Sequence, residues 1–142
     1  MGGGANATCV FCQIARGELA AHVVLDEPHV VAFLDRSPIF HGHCLVVPRL
    51  HLRTLPEVPR DLLEPLFSAA QRIATAVEAG LGAEGTFVAM NNKISQSVPH
   101  LHVHVVPRRK KDGLRGFFWP RVKYASDEEM AAVATQIRNA LP

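Results

Sequence analysis

Apolar positions along the chain follow two rhythms. Val23-Val24-Leu25 and Val30-Val31-Ala32-Phe33-Leu34 are short and rich in β-branched residues, and Asp26-Glu27-Pro28-His29 separates them. Two strands joined by a tight turn are predicted there. Asp35-Arg36-Ser37-Pro38 breaks the second strand. Cys44-Leu45-Val46-Val47 reads as a third, stopped by Pro48, which donates no ladder hydrogen bond. The rhythm then changes. Leu62/Leu63, Leu66/Phe67, Ala70, Ile73, Val77 and Leu81 recur every three or four residues, the spacing of one helix face. Proline is tolerated only near a helix start, so Pro65 predicts a start close to Leu62; Gly80 and Gly82 predict the stop. Thr86 to Met90 and Leu101 to Val106 give a fourth and a fifth strand. A short helix or turn is expected from Cys9 to Gly17. Ser126-Asp127-Glu128-Glu129 has the form of a capping box opening a terminal helix through Met130, Val133, Ala134, Ile137 and Leu141. Hairpin-like strands around one long helix predict an α+β fold with a mainly antiparallel five-stranded sheet.

The chain's 142 residues suit one compact domain with a real core. Its 48% hydrophobic and 20% charged residues are ordinary for a folded soluble protein, and a net charge of +2 says almost nothing about partners. No apolar run approaches the ~18 residues of a membrane helix. The start, Met1-Gly2-Gly3-Gly4-Ala5-Asn6, lacks the basic and apolar regions of a secretory signal. Asn6 stands where N-myristoylation requires Ser or Thr. The expectation is a flexible tail over 1–8, a single domain over 9–142, no membrane partner and a cytoplasmic location.

Chemistry concentrates in Val98-Pro99-His100-Leu101-His102-Val103-His104-Val105-Val106-Pro107. Side chains alternate across a strand, so the three histidines share one face while Leu101, Val103 and Val105 fill the other. Imidazole, with an ordinary pKa of about 6.5, suits nucleophilic and acid–base work near neutral pH and is also the commonest metal ligand. On the residues alone, a metal site and a nucleophile both stand open. Three cysteines make no disulfide framework. Cys9-Val10-Phe11-Cys12 admits a redox pair, a zinc half-site or two reduced buried thiols; the redox reading lacks its βαβ context. Zinc needs two more ligands, and spacing does not choose them among eight histidines. Cys44, within a strand, reads as core. Arg108, Arg109, Lys110, Lys111, Arg115, Arg121 and Lys123 form a basic run, either a solvated loop or a lure for polyphosphate or nucleic acid.

His-φ-His-φ-His-φ-φ, with φ apolar, is matched without exception by residues 100–106, and the chain resembles the histidine triad family. The likeness extends through Val30-Val31-Ala32-Phe33-Leu34-Asp35 and Gly42-His43-Cys44-Leu45-Val46-Val47-Pro48, covering roughly residues 9 to 120. It implies hydrolysis of a nucleotide phosphoramidate or phosphoanhydride by a homodimer whose sheets join. His102 would attack the α-phosphorus, and water would then release a nucleoside monophosphate, AMP being the expected product. By the same resemblance His104 donates to phosphate oxygens, and Gln96 and Ser97 contact the phosphate or assist the leaving group. His43 lies beside the pocket and Asp35 grips the ribose hydroxyls, a role a carboxylate fits because it accepts two hydrogen bonds. Phe11, Ile14, Phe33 and Arg36 match positions lining the base pocket.

Related sequences carry a longer, Gly-containing loop between an Asn and this Gln. Here the loop is only Asn91-Asn92-Lys93-Ile94-Ser95-Gln96, with Ser95 in place of the usual Gly; Asn91 is the candidate phosphate contact, with Asn92 as the other choice. Members with Cys-x-x-Cys resemble a structural zinc site completed by the His after Pro-x-x and the first triad His, here His51 and His100. Trp119-Pro120 resembles a segment that approaches the partner subunit's site in the phosphoramidase branch, whereas Arg108 leans toward dinucleoside polyphosphate hydrolases. No catalytic cofactor is expected. A nucleotide-binding regulatory protein with weak turnover is the competing class. DNA-end repair, the nucleic-acid option, goes with a further zinc-finger extension not seen in this sequence.

Overall fold

The β-branched runs become β1 (Val23–Asp26), β2 (Val30–Leu34), β3 (Cys44–Pro48), β4 (Gly85–Ala89) and β5 (Val103–Arg108). They pair antiparallel in the order β1-β2-β3-β5-β4, the five-stranded sheet that the pattern predicts. The computed structural model describes residues 6–114 and 121–142, in two compact units divided at Gly113. Among the described residues no helix is long and apolar enough to cross a membrane.

Alternation along the two central strands builds two cores. Val30 and Ala32 of β2 and Cys44 and Val46 of β3 face one way. They pack with Leu101, Val103 and Val105 under the long helix α2 (Arg60–Leu81), whose Leu66, Ala69, Ala70, Ile73 and Val77 are buried at helical spacing. Val31, Phe33, Leu45 and Val47 face the other way, against Phe11, Cys9 and Cys12 of the short helix α1 (Val10–Ala15) and its N-cap. Cys44 is buried core as expected, its thiol held above the ordinary range by burial.

The helix α2 begins two residues before the expected start. Pro59, extended at φ −62° and ψ 149°, precedes Arg60 and lets the helix open immediately after it. Pro65 therefore lies inside the helix, where its missing N–H leaves the Asp61 carbonyl without its i+4 donor. Gly82, at φ 68°, ends the helix in the left-handed conformation that glycine adopts freely.

The fifth strand begins at Val103, not at Leu101. Val46 pairs with Val103, and upstream of that pair the chain leaves the ladder: the Leu101 N–H donates to the Leu52 carbonyl at 2.7 Å. His100 and His102 therefore stand just before the strand, on backbone tied to the loop after β3. In the second unit, Ser126 caps α3 (Asp127–Ala140): its Oγ accepts from the Glu129 N–H at 3.1 Å, and Glu129 Oε1 accepts from the Ala125 N–H.

Candidate functional site

On the α1 side of the sheet a groove of about 750 Å³ is lined by His102 and His104 at the β5 end. Phe11, Ile14, Phe33, Asp35, Arg36 and Ser97 also line it, so eight of the expected residues meet in one cavity. Phe11 meets the rings of His100 and His102 edge-on, at centroid separations of 5.9 and 5.1 Å, and fixes both from one side.

Hydrogen-bond partners set the tautomer of each ring. His102 Nδ1 lies 2.8 Å from the His100 carbonyl, so this nitrogen carries the proton and donates, leaving Nε2 with a lone pair. His43 is held the opposite way: the Ile39 N–H donates to its Nδ1 at 3.0 Å, which places its proton on Nε2. That proton is donated to His104 Nδ1 at 2.9 Å, so His104 in turn keeps its own proton on Nε2. Asp35 Oδ2 lies 3.6 Å from His43 Nε2, and its other oxygen accepts from the Ser37 N–H at 2.9 Å. Burial pushes His104 down to about 4, the neighbouring His102 and His43 adding to the effect while Asp35 opposes it. Burial also lowers His43, with Asp35 again opposing. Both rings are therefore neutral near pH 7, each carrying its proton on Nε2.

A second cluster stands behind this face. Cys9, Cys12, His51 and His100 bring their ligand atoms within 4.8 Å of one another. His100 Nδ1 is 3.4 Å from Cys9 Sγ, 3.5 Å from Cys12 Sγ and 3.2 Å from His51 Nδ1, and Cys12 Sγ is 3.3 Å from His51 Nδ1. Zinc–nitrogen bonds of about 2.0–2.1 Å and zinc–sulfur bonds of about 2.3 Å give tetrahedral edges of roughly 3.3–3.8 Å, so the donor set fits such an ion. His100 Nε2 donates to the Pro48 carbonyl at 2.7 Å, which leaves Nδ1 as a lone pair aimed into the cluster, the usual outer support of a metal-binding imidazole. Burial holds His100 down at about 4, keeping it in the neutral, ligating form. Cys12 is raised, first by burial and also by the adjacent Cys9 thiol; a bound cation would reverse that.

Asp35, His43 and His104 also converge closely enough to hold an ion. The geometry disfavours it. With Nδ1 of His43 accepting from a backbone N–H, the proton must sit on Nε2, on the side where an ion would bind.

Residues 16–111 match the HIT domain family over more than half of the chain. The chain belongs to the HIT domain family. A HIT family protein from Bacillus subtilis, solved by crystallography, superposes with a TM-score of 0.84 at 33% identity, covering 95% of this chain and 98% of that one. A zinc-bound histidine triad family protein from Mycobacterium smegmatis superposes with a TM-score of 0.72 at 32% identity, covering 94% and 98%. The adenosine 5'-monophosphoramidase of Saccharomyces cerevisiae is 32% identical over 111 residues, 77% of this chain and 68% of that protein.

Some expected residues of this HIT domain stand off the groove. Gln96 ties its loop to the segment after β3: its amide donates to the Arg53 carbonyl at 2.6 Å and its oxygen accepts from the Lys93 N–H within the loop at 2.9 Å. Asn91 donates to the Ser95 carbonyl at 3.2 Å, and Asn92 accepts from the Leu55 N–H at 2.7 Å. His43 is buried behind His104. Trp119 lies outside the described residues. The sequence reading missed Arg49. Its guanidinium donates to the carbonyls of Glu27 and Ala15 and pairs with Asp26, tying the end of α1 to the β1–β2 turn. Its place between Pro48 and His51 is the only local signal. The Pro48, His100 and Ile39 backbone groups that orient the rings have no side-chain signature at all.

Proposed function

We propose that the chain hydrolyses nucleotide phosphoramidates or phosphoanhydrides through a covalent nucleotidyl-His102 and releases a purine nucleoside monophosphate. The observation that carries this reading is the donation from His102 Nδ1 to the His100 carbonyl. It leaves Nε2 of a groove-lining ring as an available nucleophile. In the first step the Nε2–P bond forms and the bond from phosphorus to the leaving group breaks. The ring becomes cationic, and its Nδ1–H bond to the carbonyl strengthens at that moment. His104 donates Nε2–H to a phosphoryl oxygen, with His43 behind it. Ser97 supplies a hydroxyl to the leaving atom, and Asp35 accepts from the ribose diol. In the second step water adds to phosphorus and the P–N bond breaks, returning the lone pair to Nε2 and the water's protons to product and solvent.

Zinc is the ion we assign to Cys9, Cys12, His51 and His100. All four positions are spent on protein ligands, the mark of a structural site. His100 lends its ring to this cluster and its carbonyl to His102, so the centre steadies the nucleophile without touching substrate. A homodimer is supported by β4, a sheet-edge strand with Val88 46% exposed, along which two sheets can join.

The test is a rapid quench of the protein with adenosine phosphoramidate or a diadenosine polyphosphate, followed by peptide mass analysis. A nucleotidyl mass on the His102 peptide is expected, lost in His102→Ala together with at least about 10³-fold of turnover. Full turnover in the variant contradicts the mechanism.

A further inference from the structure

The groove runs across the sheet. From His102 and His104 it passes Leu45 of β3 and Phe33 and Leu34 of β2, and reaches His22 beside β1. His22 is opposite Leu34, whose N–H donates to its carbonyl at 3.0 Å. Three strand spacings of about 4.8 Å make this path about 14 Å long. Its chemistry changes along the way, from the nucleophile and N–H donors at one end, past Phe11 at 5.1 Å from the His102 ring, to an apolar lining of Ile14, Phe33 and Leu19. Under the reading above, phosphorus occupies the first end and a flat base the second.

The proposed mechanism leaves one cation of this groove unused. Arg36 lines the cavity and is exposed, with no hydrogen-bond or ion-pair partner among the described residues. The adjacent carboxylate does not neutralise it: Asp35 spends one oxygen on the Ser37 N–H and turns the other toward His43. Guanidinium offers only donors, in a rigid fork that matches two acceptors side by side. A 6-oxopurine presents such a pair in O6 and N7, whereas adenine presents N7 beside an N6 amino donor.

We infer that Arg36 determines base specificity by donating to the O6/N7 edge, so that the groove prefers 6-oxopurine nucleotides over adenine nucleotides. This rests on the nucleotide reading of the groove and adds the substrate class to it. The apolar wall supplies affinity for either purine, and Arg36 supplies the difference between them.

Calorimetric titration of the full chain with GMP, IMP and AMP tests it, wild type beside Arg36→Ala and Arg36→Lys. The variants sit on an exposed position, and circular dichroism checks their fold. Wild type is expected to bind GMP and IMP about tenfold or more tighter than AMP, the discrimination of one bidentate pair. Arg36→Ala should bring that ratio near one by weakening GMP and IMP alone, and Arg36→Lys should restore only part. Equal binding of all three by wild type, or a ratio unchanged in Arg36→Ala, overturns the inference while leaving the nucleotide reading intact. Equal weakening of all three in Arg36→Ala assigns the side chain to phosphate and also overturns it. Failure of any purine monophosphate to bind overturns the nucleotide reading, and this inference with it.

Discussion

Two groups of histidines lie close together in this protein, and backbone atoms turn them to opposite uses. In the Cys9, Cys12, His51 and His100 group, the Pro48 carbonyl takes the His100 proton on the outer side and leaves a lone pair facing the thiols. In the Asp35, His43 and His104 group, the Ile39 N–H occupies the outer nitrogen of His43 and drives the proton inward. Both groups bring their potential ligand atoms within 4.8 Å of one another. In the first, His100 turns a lone pair inward; in the second, His43 turns an N–H inward. A carbonyl behind an imidazole makes a ligand, and an N–H behind it makes a donor. The His100 carbonyl behind His102 follows the same rule and leaves its Nε2 with a lone pair.

The largest effects should separate the groups by what is lost. Cys12→Ala removes a buried thiol of the first group and should cost on the order of 4 kcal/mol of stability, seen as a Tm lower by about 10–20 °C. His104→Ala should leave Tm within a few degrees and lower turnover about 10²-fold or more, the loss of one directed donor. A variant pair in which both changes cost mainly stability would break the distinction.

Acid should act on the donor group in a set direction. An unfolded histidine protonates near 6.5, whereas His104 holds out to about 4 and His43 is also lowered, because burial disfavours their charged forms. The unfolded state therefore binds more protons once pH falls below about 6.5. Stability present above that value should decline progressively toward pH 4. Thermal melts at half-unit pH steps should show this decline, shallower in His104→Gln. A flat profile from 6.5 to 4 would place these rings in a more solvated setting than the structure gives them.

The smallest expected effect lies in the loop feeding the triad. Ser95 stands at φ 60° and Lys93 at φ 72°, in the left-handed region that costs residues with a Cβ about 1 kcal/mol. Ser95→Gly should recover up to about 1 kcal/mol, offset in part by the greater freedom of the unfolded chain. Chemical denaturation resolves a gain of that size, and a net loss would mean the Ser95 side chain contributes more than its backbone costs.

Much of this was legible before any coordinates. Short β-branched apolar runs located every strand and period-three-to-four spacing located α2, because burial on two faces of a sheet and one face of a helix leaves that imprint. The four-residue Cys/His cluster follows the family likeness and is met in space. Register near the site was not legible. Leu101 has the composition of a strand residue, yet its N–H goes to Leu52 and the strand starts two residues later. Gln96 and Asn91 were legible as polar residues beside a triad, but not as the braces of a shortened loop. The ring orientations were the least legible, because carbonyls and N–H groups look alike in every sequence.

The division between the two histidine groups is tested most directly by metal stoichiometry. Zinc per chain would be measured by elemental analysis of wild type, Cys12→Ala and His43→Ala, each purified without added metal or chelator. One zinc per chain in wild type and His43→Ala, with loss from Cys12→Ala, is the predicted result. Two ions per chain in wild type, or loss of zinc from His43→Ala with retention in Cys12→Ala, would contradict it.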